Sequence, residues 1–212
     1  MIELRPLQDR DLDSLYAISL ATGHIGGDAS ALYADSRMMG HIYSAPYAKL
    51  RPHTCFVAED AAGVAGFIVG AVDTRAFEAQ LERDWWPDLR AIYPDPSGTP
   101  PSIWTADQRR CFMIHHPRRT PEEIAGAFPA HLHMNLLPRL QGRGVGPALL
   151  ELWFATARDL GATGVHVGTN ANNRGAVRFL QKCGFERLSP QSPAADGGPV
   201  WLGRPLDGTP ID

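Results

Sequence analysis

Apolar residues recur at helical spacing at Leu12, Leu15, Tyr16 and Leu20. Asp9 or Asp11 can cap this helix, and Gly23 is placed to end it. Ahead of it, residues 2–6 read as a short first strand. Residues 24–50 hold Gly, His and Tyr, with a weaker helical pattern over 29–41. Two apolar runs, 54–58 and 66–72, flank Glu59-Asp60-Ala61-Ala62-Gly63. That arrangement predicts a hairpin with a slightly long loop.

Residues 75–128 are the least regular part, with Trp85-Trp86, Trp104, many prolines, His115-His116 and Arg118-Arg119. Helices are predicted over 77–83 and 105–114. Thr120-Pro121-Glu122-Glu123 reads as a capping box that opens a third. This stretch is either a surface elaboration or the border of an acceptor groove. The tryptophans line such a groove or belong to a core. Residues 130–137 then read as a strand. Over 147–160, Leu149, Leu152, Trp153, Thr156 and Leu160 share one face of an amphipathic helix. Gly161-Ala162-Thr163-Gly164 breaks it. A strand over 165–168, a helix over 173–183 ended by Gly184, and strands at 186–188 and 199–203 complete the chain. Helices alternating with strands in the second half, after a hairpin in the first, predict a mixed α/β sheet.

The chain has 212 residues, 44% hydrophobic and 20% charged, values that exclude disordered, collagenous and coiled-coil classes. We therefore expect one domain, 1–212, with 75–128 as an insert within it. Lys+Arg 20 against Asp+Glu 23 gives a net charge of −3, which offers no overall field for nucleic acid or anionic lipid. The 3 cysteines are widely spaced and odd in number, which fits a reducing compartment and not a disulfide framework. No apolar leader follows Met1, and the longest apolar run, 63–72, is shorter than the ~20 residues that span a bilayer. A cytoplasmic protein without nucleic-acid or membrane partners is expected.

The chemistry concentrates at Leu136-Leu137-Pro138-Arg139-Leu140-Gln141-Gly142-Arg143-Gly144-Val145-Gly146-Pro147. A strand runs into a glycine-rich turn that opens a helix. The first helical turn leaves amides without intrahelical partners, and the helix dipole adds roughly half a positive charge. Together they make an anion site suited to phosphate or pyrophosphate. Pro147 supplies no N–H, so the cradle rests on residues 142–146, with Arg143 as a further contact or as a solvated surface charge. A P-loop needs a lysine that is absent here, and Gly142-x-Gly144-x-Gly146 is not a dinucleotide fingerprint.

Gln141-x-x-Gly144-x-Gly146 resembles the (Q/R)xxGx(G/A) acyl-CoA signature of the GNAT N-acetyltransferases. Pro138 and Ala148-Leu149-Leu150 sit around it as in many members. Downstream, Asn173-Arg174-Gly175-Ala176 and Gly184-Phe185 resemble the "N-x-x-A … GF" helix of that family. The resemblance covers residues 1–74 weakly and 130–206 well. The block 130–146 and the insert before it are also similar to bacterial relatives of the pseudo-acetyltransferase domain of O-GlcNAcase. The resemblance implies a splayed mixed β-sheet flanked by helices, with a long helical insert before the CoA-binding strand, and acetyl-CoA as co-substrate without a metal. It implies that main-chain groups of Leu136 and Leu137 pair with the pantetheine, that Gln141, Gly142, Arg143, Gly144, Val145 and Gly146 hold the pyrophosphate, that Asn173 bonds the pantetheine arm, and that Asn170 also binds the cofactor. Asn173 as a helix cap and Asn170 as a turn residue are the structural alternatives.

Direct acyl transfer needs a base, an oxyanion site and an acid for the leaving thiolate. His131 and His133, on one face of the strand, are the candidate bases, or else strand histidines held by hydrogen bonds. Glu59 and Asp60 are weaker candidates. The family often carries a Tyr four residues before the Gly of the GF pair, where this chain has Leu180, which cannot donate a proton. The expected activity is N-acetyl transfer to an amine of a small molecule or peptide. The alternative is a weak or inactive pseudo-acetyltransferase that binds acetyl-CoA or a protein partner. A homodimer is compatible with either.

Overall fold

The computed structural model describes residues 1–188 and 199–206. The elements run in the order β1 (Glu3–Pro6), α1 (Leu12–Ala21), α2 (Met38–Tyr43), α3 (Ala45–Leu50), β2 (Cys55–Asp60) and β3 (Gly63–Ala71), then α4 (Thr74–Asp84), α5 (Trp86–Ile92), α6 (Ala106–His115) and α7 (Glu122–Ala127). β4 (Ala130–Leu136), α8 (Val145–Asp159), β5 (Gly164–Asn170), α9 (Arg174–Lys182), β6 (Glu186–Leu188) and β7 (Pro199–Pro205) follow. Among the described residues the strands form one sheet in the order β1-β2-β3-β4-β5-β7-β6. All neighbours are antiparallel except β4 and β5, which run parallel. The mixed α/β sheet flanked by helices, with a helical insert before β4, is as the sequence predicts.

Period-two alternation divides β4 between two environments. Ala130 and Leu132 point into the core under α8, where Leu149, Leu150, Trp153, Phe154 and Ala157 fill the space between helix and sheet. Trp153 also donates its indole N–H to the Thr54 carbonyl at 3.1 Å, so its one polar atom is satisfied inside the core. The opposite face of the sheet packs on α1, α3 and α4 through Leu15, Ile18, Tyr47 and Phe77. A third cluster, Met38, Trp86, Leu89, Cys111 and Ile114, joins the insert to α2. The insert therefore carries a core of its own. Trp86 is part of that core, Trp85 donates to the His41 carbonyl at 2.9 Å, and Trp104 donates to Thr99 beside Phe112. Trp85 and Trp86 thus belong to the packing of the insert, and Trp104 is half-buried against Phe112.

Four local expectations are corrected. The β2–β3 loop is a tight turn at Ala61-Ala62, because Gly63 takes a left-handed φ of +100° and pairs with Asp60. The weak helical pattern over 29–41 is shifted: the helical residues begin at Met38 with α2, and α3 follows beyond the pattern at Ala45–Leu50. Asp11 does not cap α1: its buried carboxylate accepts the Arg5 guanidinium at 2.6 and 2.9 Å and the Gln8 amide at 2.8 Å, stronger partners than a helix N–H. Thr120 does not form a capping box, since its own amide donates to Glu78 at 2.8 Å and Pro121 stands at the N-cap.

The feature that positions the site is a failure of pairing. β5 pairs with β7 along its whole length, from Gly164 to Asn170. It pairs with β4 only at Ala130↔Val165 and His131↔His166. Beyond those positions the strands part, and the rest of β4 has a neighbour on one edge only, β3.

Candidate functional site

The loop after β4 is held open by backbone geometry. Gly142 and Gly144 take φ of +70° and +78°, and nothing lies within 4 Å of where a Cβ would stand on either. The sign of φ, not crowding, calls for glycine here. Gly144 is the N-cap of α8 and offers no side chain to its amides. Among the described residues, no protein acceptor meets the N–H groups of residues 142–146, while Ala148 bonds back to the Gly144 carbonyl at 3.3 Å. Five adjacent amides, left-handed turns and the positive end of a fifteen-residue helix form a concave anion cradle. Arg143 is exposed and donates to the Arg139 carbonyl at 3.3 Å, and Arg139 is itself anchored to Asp60 at 2.9 Å.

The open edge of β4 follows from its register. The Leu137 amide donates to the Ala65 carbonyl at 2.8 Å. Main-chain groups alternate between edges along an antiparallel strand, so those of Met134 and Leu136 turn away from β3 toward the gap beside β5. Gln141 occupies the Leu136 carbonyl with its side-chain amide at 2.9 Å. The groups left for a ligand are both of Met134 and the N–H of Leu136. Leu137, expected to share this role, spends its amide inside the sheet.

Both asparagines have local partners. Asn173 caps α9, its side-chain oxygen accepting from the Ala176 amide at 3.1 Å, which leaves the NH₂ end for another acceptor. Asn170 accepts from the Asn172 amide at 2.8 Å and shapes the turn. Leu180 is buried in the core beneath α8 and α9. No proton donor stands there.

The two histidines of β4 share a face and differ in their bonding. Thr74 donates its hydroxyl to the Pro129 carbonyl at 2.7 Å, so its oxygen accepts from Nδ1 of His131, also at 2.7 Å. That places the His131 proton on Nδ1 and leaves Nε2 to accept from the Tyr47 hydroxyl at 2.8 Å. Both ring nitrogens of His131 are thus engaged. His133 has no hydrogen-bond partner among the described residues, and it is walled by Tyr43 and Tyr47, with ring centroids at 5.6 and 5.5 Å. Burial pushes His133 down to about 4, with His166 adding to the effect. Burial also drives His131 well below the ordinary histidine value, reinforced by His166 and His133. All three rings are therefore neutral at physiological pH.

His166 is the member that sequence reasoning missed. It is buried on β5, donates Nδ1–H to the Phe128 carbonyl at 2.7 Å and stacks on His131 at 5.6 Å. Its nearness to His131 depends on the parallel register of β4 and β5, which no local pattern reveals. Glu59 and Asp60, the weaker base candidates, are bound to Arg5 and Arg139 respectively. Among the described residues no group of three His, Cys, Asp or Glu is placed to hold a metal ion, and no helix is long and apolar enough to cross a membrane.

Comparison with known proteins agrees with this geometry. The family model described as Acetyltransferase (GNAT) family matches residues 28–185. The crystal structure of SsHAT superposes with a TM-score of 0.86 at 33% identity, covering 97% of this chain and 98% of that one. Mycothiol acetyltransferase of Cellulomonas flavigena is 30% identical over 151 residues, 66% of this chain and 42% of that protein. Protein O-GlcNAcase of Rattus norvegicus is 21% identical over 132 residues, 61% of this chain and 14% of that protein. The chain thus spans less than half the length of these two curated relatives, and the O-GlcNAcase likeness is weak. The GNAT fold takes acetyl-CoA as its co-substrate. The chain belongs to the GNAT acetyltransferase family.

Proposed function

We propose that the chain transfers the acetyl group of acetyl-CoA directly to an amine of a small molecule or peptide. The observation that carries the proposal is the run of five acceptor-free amides, 142–146, next to the open main-chain edge of β4. In this reading residues 1–212 are one cytoplasmic domain with 75–128 as an insert. The amides of Gly142–Gly146 and the Arg143 side chain hold the pyrophosphate, and Gln141 braces the loop against Leu136. Met134, Leu136 and the NH₂ end of Asn173 bond the pantetheine arm. Bound there, the coenzyme supplies an activated thioester.

This chain's own chemistry is small. His133, neutral and without a protein partner, accepts the proton that the amine loses as its nitrogen bonds the acyl carbon. His131, locked by Thr74 and Tyr47, fixes the floor on which His133 stands. Leu180 offers no acid, so the departing thiolate takes its proton from water. Calorimetry with acetyl-CoA should give saturable binding, and a thiol assay across an amine panel should give acceptor-dependent release of CoA. Binding with no release on any amine would overturn the proposal.

A further inference from the structure

The insert places a cation without an anion one aromatic ring from His133. Tyr43 stands edge-on to His133 at 5.6 Å. Across the Tyr43 ring lies the guanidinium of Arg110, 5.5 Å from its centroid. Arg110 is half-buried on α6. Its Nε donates to the Tyr33 hydroxyl at 3.0 Å and its Nη1 to the Met113 sulfur at 3.1 Å. All three neighbours are neutral. Among the described residues no carboxylate pairs with Arg110, and its Nη2 has no partner. Asp107, Asp35 and Glu78 are otherwise engaged. Asp107 accepts the amides of Ala34 and Asp35, Asp35 accepts the Tyr93 hydroxyl and the Arg37 amide, and Glu78 is bound by Arg75 and Arg119. A second guanidinium, Arg118, adds its field at Tyr43.

A partly desolvated guanidinium ordinarily takes a carboxylate or phosphate, for which its planar fork is shaped. Here the guanidinium stands one aromatic ring from His133, with Nη2 left to donate. We propose that Arg110 selects the acceptor: the amine acetylated by this protein carries an anionic group, carboxylate or phosphate, that Arg110 binds while the amine meets His133. The inference rests on the acetyl-transfer reading above and narrows its substrate class. In the step it serves, the amine nitrogen forms a bond to the thioester carbonyl carbon and the C–S bond breaks. The amine's proton passes to His133, and CoA leaves as the thiol after protonation from water. The same arrangement disfavours polycationic acceptors, whose extra charges meet Arg110 and Arg118.

The test measures CoA release from acetyl-CoA by the full chain with matched acceptors. The pairs are amino acids of increasing amine–carboxylate separation against their amides, and phosphoethanolamine against ethanolamine. The expected result is about a ten-fold or greater preference in kcat/KM for the anionic member of at least one pair, expressed mainly in KM. The two kinds of pair separate carboxylate from phosphate. Arg110→Gln should collapse that preference to within about two-fold, and Arg110→Lys should retain part of it. Acetyl-CoA affinity, measured by calorimetry, checks that each variant is folded. Should Arg110→Gln fail to fold, Tyr33→Phe, which removes the hydroxyl orienting the guanidinium, should lower the preference several-fold. Equal turnover within every pair, or a preference untouched in a folded Arg110→Gln, would overturn the selection while leaving acetyl transfer standing. No CoA release with any acceptor would overturn both.

Discussion

The side-chain amide of Gln141 donates to the main-chain carbonyl of Leu136 at 2.9 Å, tying the anion-binding turn to the last residue of the strand that precedes it. This bond sets where five amides point without using any of them. Gln141→Ala removes one exposed hydrogen bond, worth about 1 kcal/mol. The expected outcome is roughly five-fold weaker acetyl-CoA binding by calorimetry, with little change in melting temperature.

Gly144 and Gly126 should respond with opposite sign. Both have open space where a Cβ would stand, but only Gly144 has a left-handed φ. Gly144→Ala should cost about 1–2 kcal/mol of stability and weaken acetyl-CoA binding further by reshaping the cradle. Gly126→Ala, inside α7, should stabilise by about 0.5–1 kcal/mol and leave binding alone. Chemical denaturation with calorimetry reads both.

The β4 histidines should separate under substitution. His133→Ala removes a ring without protein bonds, so the fold should persist while kcat falls by about 10²–10⁴. His131→Ala strands the Tyr47 hydroxyl and the Thr74 oxygen in a largely enclosed site, at a cost of about 1–3 kcal/mol. Steady-state kinetics beside thermal melting distinguishes the roles. A His133→Ala variant with full turnover would clear that residue.

The same histidines fix the response to acid. His131, His133 and His166 are all shifted below the ordinary histidine value, so the unfolded chain binds more protons than the folded one below about pH 6.5. Stability should therefore fall as pH drops from about 7, each histidine contributing a slope of at most about 1.4 kcal/mol per pH unit, with the His133 share levelling off near 4. The rate profile should show no inflection near 6.5 from His133, whose neutral form persists down to about 4. Denaturant melts and kcat/KM across pH 4–9 test both statements.

What was legible in the chain was what local pattern encodes. The 3.6-residue apolar period over α8, the alternation along β4 and the glycines of the turn each act within one element, and the elements appear where the spacing puts them. Leu160, read onto the apolar face of α8, instead lies just past its end and is 53% exposed. Asn173 was readable both as cap and as ligand, because one end of an amide can cap while the other stays free. What escaped depended on distant partners. Arg5 took Asp11 from the helix it was expected to cap, Glu78 took the amide of Thr120, and Ala65 took that of Leu137. His166 joined the histidine cluster only through strand register, and Arg110 came to lie over the Tyr43 ring only because the insert packs on α2.

The two-rung junction between β4 and β5 has a mechanical meaning. One plate of the protein, β1 to β4, and the other, β5 to β7, share barely any ladder, so the α8 core must clamp them together. Such a seam breathes more readily than the strands on either side of it. A guest bonded to both banks would act as a weld, completing a sheet that the chain alone leaves unfinished. Amide exchange at Met134 and Leu136 should then be faster than at their β3-facing neighbours, and acetyl-CoA should slow it while raising the melting temperature of the whole fold.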